Sequence, residues 1–439
     1  VQVLVEELPG HPPAVLRAAV LADTGAQVVC VVPVGDRNRV AVEGDLAALV
    51  DLGVAEVLVD AASGRVGDLT ALEATDLARG AGLRVSVRGP DVTPAPVRTA
   101  GGCPKQMTYG PCGGVGATGT CEVSVDPCVF VGVPLPVRWT GGPSPAAPPP
   151  TAAAREVREL MARRPLIVTG FPAAPMDSAS VAACAEELRD AADCTLAGDS
   201  GRARVQYPPS YRARLMAAAG LRVWSGVNCR DRDRDVLQRE LLGLHEVGVA
   251  GVHCVTGDHT TSGDRPDAAP VFDLEATTLL PRARAAGLLT SFAESPSAPP
   301  VDIRAARIAE KVRAGGELCW LQYCGEIEDV HRFVEETAAA AGRPVPTFPG
   351  VPLLVDHVGA RLLADFAAAV LPIGYVEEVL AARDPEAAGV RVAIELGRQL
   401  LEVPGVAGVV IAGGARPGHE VSFARSLATV ARELGGGSS

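Results

Sequence analysis

The sequence predicts an α/β protein: a TIM (β/α)8 barrel preceded by a small α/β domain and a Cys-rich metal-binding segment. Three observations predict it. Eight short apolar runs alternate with helical patterns between residues 156 and 436, each run gives way to polar residues at its C-terminal end, and four cysteines gather in one glycine-rich stretch upstream.

The stretch from Asn228 to Asp258 shows the repeating unit. Val223 to Cys229 is a buried strand that ends in the alternating charges of Arg230 to Asp235, too polar for a sheet interior. Leu237, Leu241, Leu244 and Val247 then share a helical face, Gly248 stands where a left-handed C-terminal residue is wanted, and Val249 to Val255 is the next strand. Counted the same way, the other strands are Leu166–Thr169, Cys194–Ala197, Leu288–Phe292, Leu318–Tyr323, Pro352–Val355 and Val406–Ala412. An open doubly wound sheet is the runner-up, but no GxGxxG follows the first strand. In a barrel, Asp199-Ser200, Asp231, Asp258, Glu294 and Gln322 all stand at the C-terminal ends of strands, where ligands bind. Singly, each reads as a cap or a solvated residue; together they mark a candidate site.

Upstream, strands at Val1–Val5, Ala26–Pro33, Val54–Val59 and Leu83–Val87 alternate with helices in a region too short for a closed barrel. Asp36, Arg37, Arg39 and Gly53 fall on Asp231, Arg232, Arg234 and Gly248 at a constant offset of 195, which predicts an internal duplication. Domain boundaries are expected at 1–98, 99–140 for the cysteine segment, 141–155 for a Pro-rich linker containing GGPSPAAPPP, and 156–436 for the barrel.

Cys103, Cys112, Cys121 and Cys128 are separated by eight, eight and six residues in a segment with little to bury, so a metal held by thiolates would supply the missing stability. The spacing lacks a paired CxxC; zinc, unligated thiols and an iron–sulfur cluster all stay open. The other seven cysteines lie mostly in apolar runs and read as buried reduced thiols. A formal charge of -12 and a pI near 5.2 argue against a nucleic-acid partner. With no signal, transit or membrane-spanning run in view, a cytoplasmic protein is expected.

Several motifs then carry a resemblance. Val227-Asn228-Cys229-Arg230-Asp231-Arg232-Asp233, Val255-Thr256-Gly257-Asp258, Val271-Phe272-Asp273, Glu310-Lys311-Val312-Arg313-Ala314-Gly315, Leu321-Gln322-Tyr323 and Pro349-Gly350-Val351-Pro352-Leu353 resemble, in order and spacing, the methylenetetrahydrofolate reductase family over most of residues 163–432. CPKQMTYGPCGG separately resembles the cysteine-rich zinc domain attached to some of these reductases. The resemblance implies FAD, NADH or NADPH as hydride donor, zinc on the four cysteines, and 5,10-methylenetetrahydrofolate as substrate. It places Asp258 beside the flavin and the folate iminium, Gln322 on the pterin, Lys311 and Phe292 on the flavin, and Thr256 where the family has a basic cofactor contact. Asp231 is a further candidate for substrate binding.

The first barrel strand departs from the family. Where a glutamate should protonate the folate nitrogen, the chain has Thr169 or Gly170, and Gly226 replaces an expected histidine. Glu294 and Glu6, the latter in a Glu-Glu-Leu-Pro run of the N-terminal copy, are the candidate substitutes for the acid. Two functions follow: a flavin-dependent reductase of methylenetetrahydrofolate in one-carbon and methionine metabolism, or a non-catalytic folate- or flavin-binding partner of a separate reductase or corrinoid methyl-transfer protein. A homo-oligomer is a further expectation; a methyltransferase barrel is a weaker option.

Overall fold

The structure is a computed structural model that describes residues 2–89, 102–133, 137–141, 147–199, 203–364, 369–414 and 416–435, and for residues 62–65 the backbone only. Ser200 and residues 142–146 of the expected linker lie outside the described residues.

Strands β1 (Gln2–Val5), β2 (Gln27–Asp36), β3 (Glu56–Val66) and β4 (Arg84–Arg88) form a four-stranded parallel sheet in sequence order. Strands β5 (Leu166–Gly170), β6 (Cys194–Ala197), β7 (Val223–Asn228), β8 (Gly251–Val255), β9 (Thr290–Glu294), β10 (Leu318–Leu321), β11 (Thr347–Leu353) and β12 (Gly408–Gly413) close into a parallel barrel, β12 pairing with β5. Every barrel strand overlaps its expected run. The largest displacement is β11, which begins at Thr347 rather than Pro352. Its prolines do not end the strand, because the fixed φ of proline suits an extended chain and the ladder divides between β10 at Thr347–Pro349 and β12 at Gly350–Leu353.

Strand alternation sorts the core into two layers. Leu166, Val168, Trp224, Leu318, Trp320, Phe348 and Val410 pack inside the barrel, plugged at the bottom by Ala154 and Val157 of the helix Ala152–Met161. Ile167, Val252, Phe292, Cys319, Val351 and Ile411 point the other way, onto helical residues such as Leu241, Leu279 and Leu427. Within the strands, the parity sorts side chains that point into the barrel from those that pack on the helices.

The repeat at offset 195 is built into the fold. Helix Arg39–Asp51 corresponds to helix Arg234–Val247, capped at the start by Asn38 and Asp233 and followed by Gly53 at φ 71° and Gly248 at φ 84°. The two copies meet at equivalent residues: Asn38 N–H donates to the Asp231 carbonyl and Asp233 N–H to the Asp36 carbonyl, each at 3.0 Å. Arg37 and Arg232 form an antiparallel bridge and both pair with buried Asp45. Tyr207 and Tyr211 of the barrel region join the hydrophobic cluster of the N-terminal sheet, and the Tyr211 hydroxyl donates to Asp51 at 2.6 Å. The sheet is therefore docked on the barrel by packing as well as by the chain that joins them.

Gly243 sits in this junction, where an added Cβ would lie 2.9 Å from Ser210 Cβ and 3.0 Å from Pro13 Cδ. Gly243→Val is expected to cost about 1–3 kcal/mol by overpacking, read as a lower urea midpoint. An unchanged midpoint would show that the junction yields freely.

Candidate functional site

A cavity of about 650 Å³ opens at the C-terminal ends of the barrel strands. Asp199 after β6, Asn228 on β7, Thr256 and Asp258 after β8, Glu294 on β9 and Gln322 after β10 line it, with Arg204, His253, Arg307 and Lys311. Its remaining wall comes from the cysteine-rich segment, through Lys105, Cys112, Gly113, Cys121 and Glu122 among others.

That wall is held at both ends. Glu275 accepts the backbone N–H of Thr108 at 2.8 Å and of Tyr109 at 3.0 Å. Fully buried Arg304 donates to the Cys112 carbonyl at 3.1 Å, and Arg307 to the Tyr109 carbonyl at 3.1 Å. On the other side Glu122, paired with Lys105, accepts from His259 N–H at 2.8 Å and from the Ser262 hydroxyl at 3.2 Å, both in the loop that carries Asp258. Gly113 lets the wall close down, since a Cβ there would lie 2.5 Å from Ser295 Oγ.

The surroundings push the four carboxylates of the cavity in different directions. Burial would raise the pKa of Glu294, but Lys311, Arg307 and Arg304 outweigh it and hold the group down to about 2. Its oxygens lie 2.8 Å from Lys311 Nζ, 3.3 Å from Arg307 Nε and 3.0 Å from Arg304 Nη1. Burial opposes ionisation of Asp199 and Glu122 too, yet Arg230 with Arg204 and Arg212 lowers the first and Lys105 lowers the second. Asp258 alone goes the other way: crowding of its carboxyl, with Glu122 and Asp199, raises its pKa against Lys105 and Arg204, although the side chain is 51% exposed, so solvent screens the shift. Of the four, it is the carboxyl biased toward holding a proton.

Glu294 lines the cavity as a locked carboxylate rather than an acid. Other expected site residues are placed elsewhere. Glu6 stands at the end of β1 on the N-terminal sheet, 2.6 Å from Arg88, and is not part of the cavity lining. Asp231 turns to the junction with the N-terminal copy, paired with Arg230 at 2.7 Å and accepting from the Asn38 amide at 3.2 Å. Phe292 faces the helices with the amine of Lys311 5.4 Å from its ring, because inward positions on β9 fall to Ser291 and Ala293. Asp258, Gln322, Thr256 and Lys311 do meet in the cavity. Lys311 has its pKa pushed down to about 8 by burial and by Arg307, against Glu294.

Residues not singled out from sequence also line the site. His253, on the inward face of β8, stacks on Trp320 with centroids 4.6 Å apart and meets Ser291 Oγ at 2.9 Å. Burial pushes its pKa down to about 3, so it is a neutral polar group at the cavity floor. The inward parity of β8 could have pointed to it. Nothing in the sequence showed that Lys105 and Glu122 would fold over the mouth.

The four clustered cysteines carry part of the chemistry of a zinc site. Burial raises the pKa of Cys103 and Cys128, while amide donors favour their thiolates, Met107 and Lys105 for the first and Phe130 for the second. Among the described residues, however, no group of three or more His, Cys, Asp or Glu side chains is arranged to hold a metal. Zinc would need the thiols drawn together from where they stand. For a flavin the fit is also incomplete: Asp258, Thr256 and Lys311 reach the cavity and Phe292 does not.

Residues 95–135, which include the wall, match the family described as methylene-tetrahydrofolate reductase C terminal. The match covers the cysteine-rich segment and does not extend to the barrel. The matched piece also supplies part of the cavity wall. No curated protein matches the chain. An uncharacterised protein from Clostridium thermocellum, described as binding two copies of 5-methyl-5,6,7,8-tetrahydrofolic acid, is similar at TM-score 0.47 and 11% identity, over 63% of this chain and 99% of that one. Oxaloacetate acetylhydrolase, solved with 3,3-difluorooxalacetate, gives TM-score 0.35 and 15% identity over 64% and 94%. 2,3-Dimethylmalate lyase, of the PEP mutase/isocitrate lyase superfamily, gives 0.35 and 12% over 59% and 87%. At these scores the likenesses carry no weight for function. Among the described residues no helix is long and apolar enough to cross a membrane.

Proposed function

We propose that the protein binds a reduced folate bearing a one-carbon unit in the barrel mouth and acts on that unit as an oxidoreductase of the methylenetetrahydrofolate reductase type. One observation carries the reading: the segment that matches the reductase family forms a wall of the same cavity into which Asp258 and Gln322 open. Gln322 can donate to and accept from a pterin edge, which fixes the orientation of the ring. Asp258 can hold a proton near the one-carbon end and deliver it to a folate nitrogen, taking the part of the acid that Thr169 and Gly170 cannot play. FAD and NADH or NADPH belong to this proposal through the resemblance alone.

Half-reactions test it. The expected result is a flavin-containing protein whose flavin is reduced by NADH or NADPH and reoxidised on adding 5,10-methylenetetrahydrofolate. Folate binding without folate-dependent reoxidation would favour the second function, a non-catalytic folate-binding partner, to which the outward Phe292 and the missing acid on β5 lend support.

A further inference from the structure

The cysteine-rich segment reads from sequence as a self-contained structural module, but its position in the fold gives it more to do. Asp258 follows β8, Glu294 ends β9 and Gln322 follows β10, so a ligand that touches both Asp258 and Gln322 must pass the end of β9. That is the arc the segment covers. Glu122 fastens it to the β8 loop at His259 and Ser262, and the Cys112 carbonyl fastens it to Arg304 beyond β9, where Gly113 lies close against Ser295. Cys112 and Cys121 line the cavity; Cys103 and Cys128, in the same segment, are not among its lining residues. Arg304 also pairs with Glu294, which pairs with Lys311, so one continuous run of buried contacts joins the wall to the end of β9.

We propose that the cysteine-rich segment is part of the ligand site, its Lys105, Cys112 and Cys121 side contacting the one-carbon end of the folate that Asp258 and Gln322 hold. This rests on the folate reading above. A ligand seated there shields the two wall thiols and steadies the segment, while the two outer thiols act as internal references.

Alkylation of the full chain by iodoacetamide, read cysteine by cysteine by peptide mass spectrometry with and without 5-methyltetrahydrofolate, tests it. At ligand tenfold above its Kd, modification of Cys112 and Cys121 should slow about tenfold, with Cys103 and Cys128 changing much less. Should the free protein's thiols react too slowly to compare, hydrogen exchange of residues 105–122 gives the second readout, and slower exchange with ligand is expected. Heat of ligand binding with no change in either readout overturns the wall proposal and leaves the folate reading standing. No heat and no protection anywhere overturns both.

Discussion

Glu294→Gln is expected to destabilise the protein by about 3–5 kcal/mol at neutral pH, because it leaves Arg304, Arg307 and Lys311 buried without the carboxylate that neutralises them. Urea unfolding checks this, against Glu433→Gln, whose pair with Arg398 is exposed on both sides and whose loss should stay within about 0.5 kcal/mol. The pH dependence carries a sign. Glu294 has its pKa held down to about 2 in the folded chain, so its stabilisation is fully present above the ordinary glutamate range and is lost as pH falls through about 2. Wild type should therefore lose part of its advantage over the variant between pH 5 and about pH 2. A constant difference across that range would contradict the ion-pair account. Since Arg304 also holds the Cys112 carbonyl, the variant should loosen the cavity wall as well.

Asp258→Asn is expected to behave in the opposite way. Its raised pKa means that the ionised form is disfavoured in the folded chain: stability from the protonated group is present at low pH and is lost as pH rises through the folded pKa. Because the side chain is half exposed, solvent screens this effect, and the neutral amide should leave thermal stability at pH 7 close to that of the wild type. Turnover of methylenetetrahydrofolate should nevertheless fall about 10²- to 10⁴-fold, the range for losing a positioned acid. A variant that is as stable as wild type and as active would remove Asp258 from the acid's role.

The barrel was legible because its signal is local. Runs such as Val223–Cys229 and Val249–Val255 are mostly apolar, bounded by charge at one end and Gly248 at the other, and the closed sheet needs little beyond eight of them in order. Offset-195 pairs such as Arg37 and Arg232 were legible too, as residue types, though not the contact between them. The site was harder. Phe292 was assigned by motif position, whereas strand parity decides its direction, and one residue of register turns it onto the helices. Glu294 could be placed at a strand end, but its charge state is set by Arg304, Arg307 and Lys311 one helix further on, whose convergence is tertiary. Lys105 and Glu122 were hidden most deeply, because docking of the cysteine-rich segment depends on Glu275 and Arg304, more than 150 residues away.

The most direct test of the central claim is an isothermal titration of the full chain with 5-methyltetrahydrofolate, comparing wild type with Gln322→Ala. The account predicts saturable one-site binding by wild type and affinity about 10- to 100-fold weaker in the variant, which loses the amide that pairs with the pterin edge. Equal affinity in the two proteins, or no binding by a folded wild type, would contradict it.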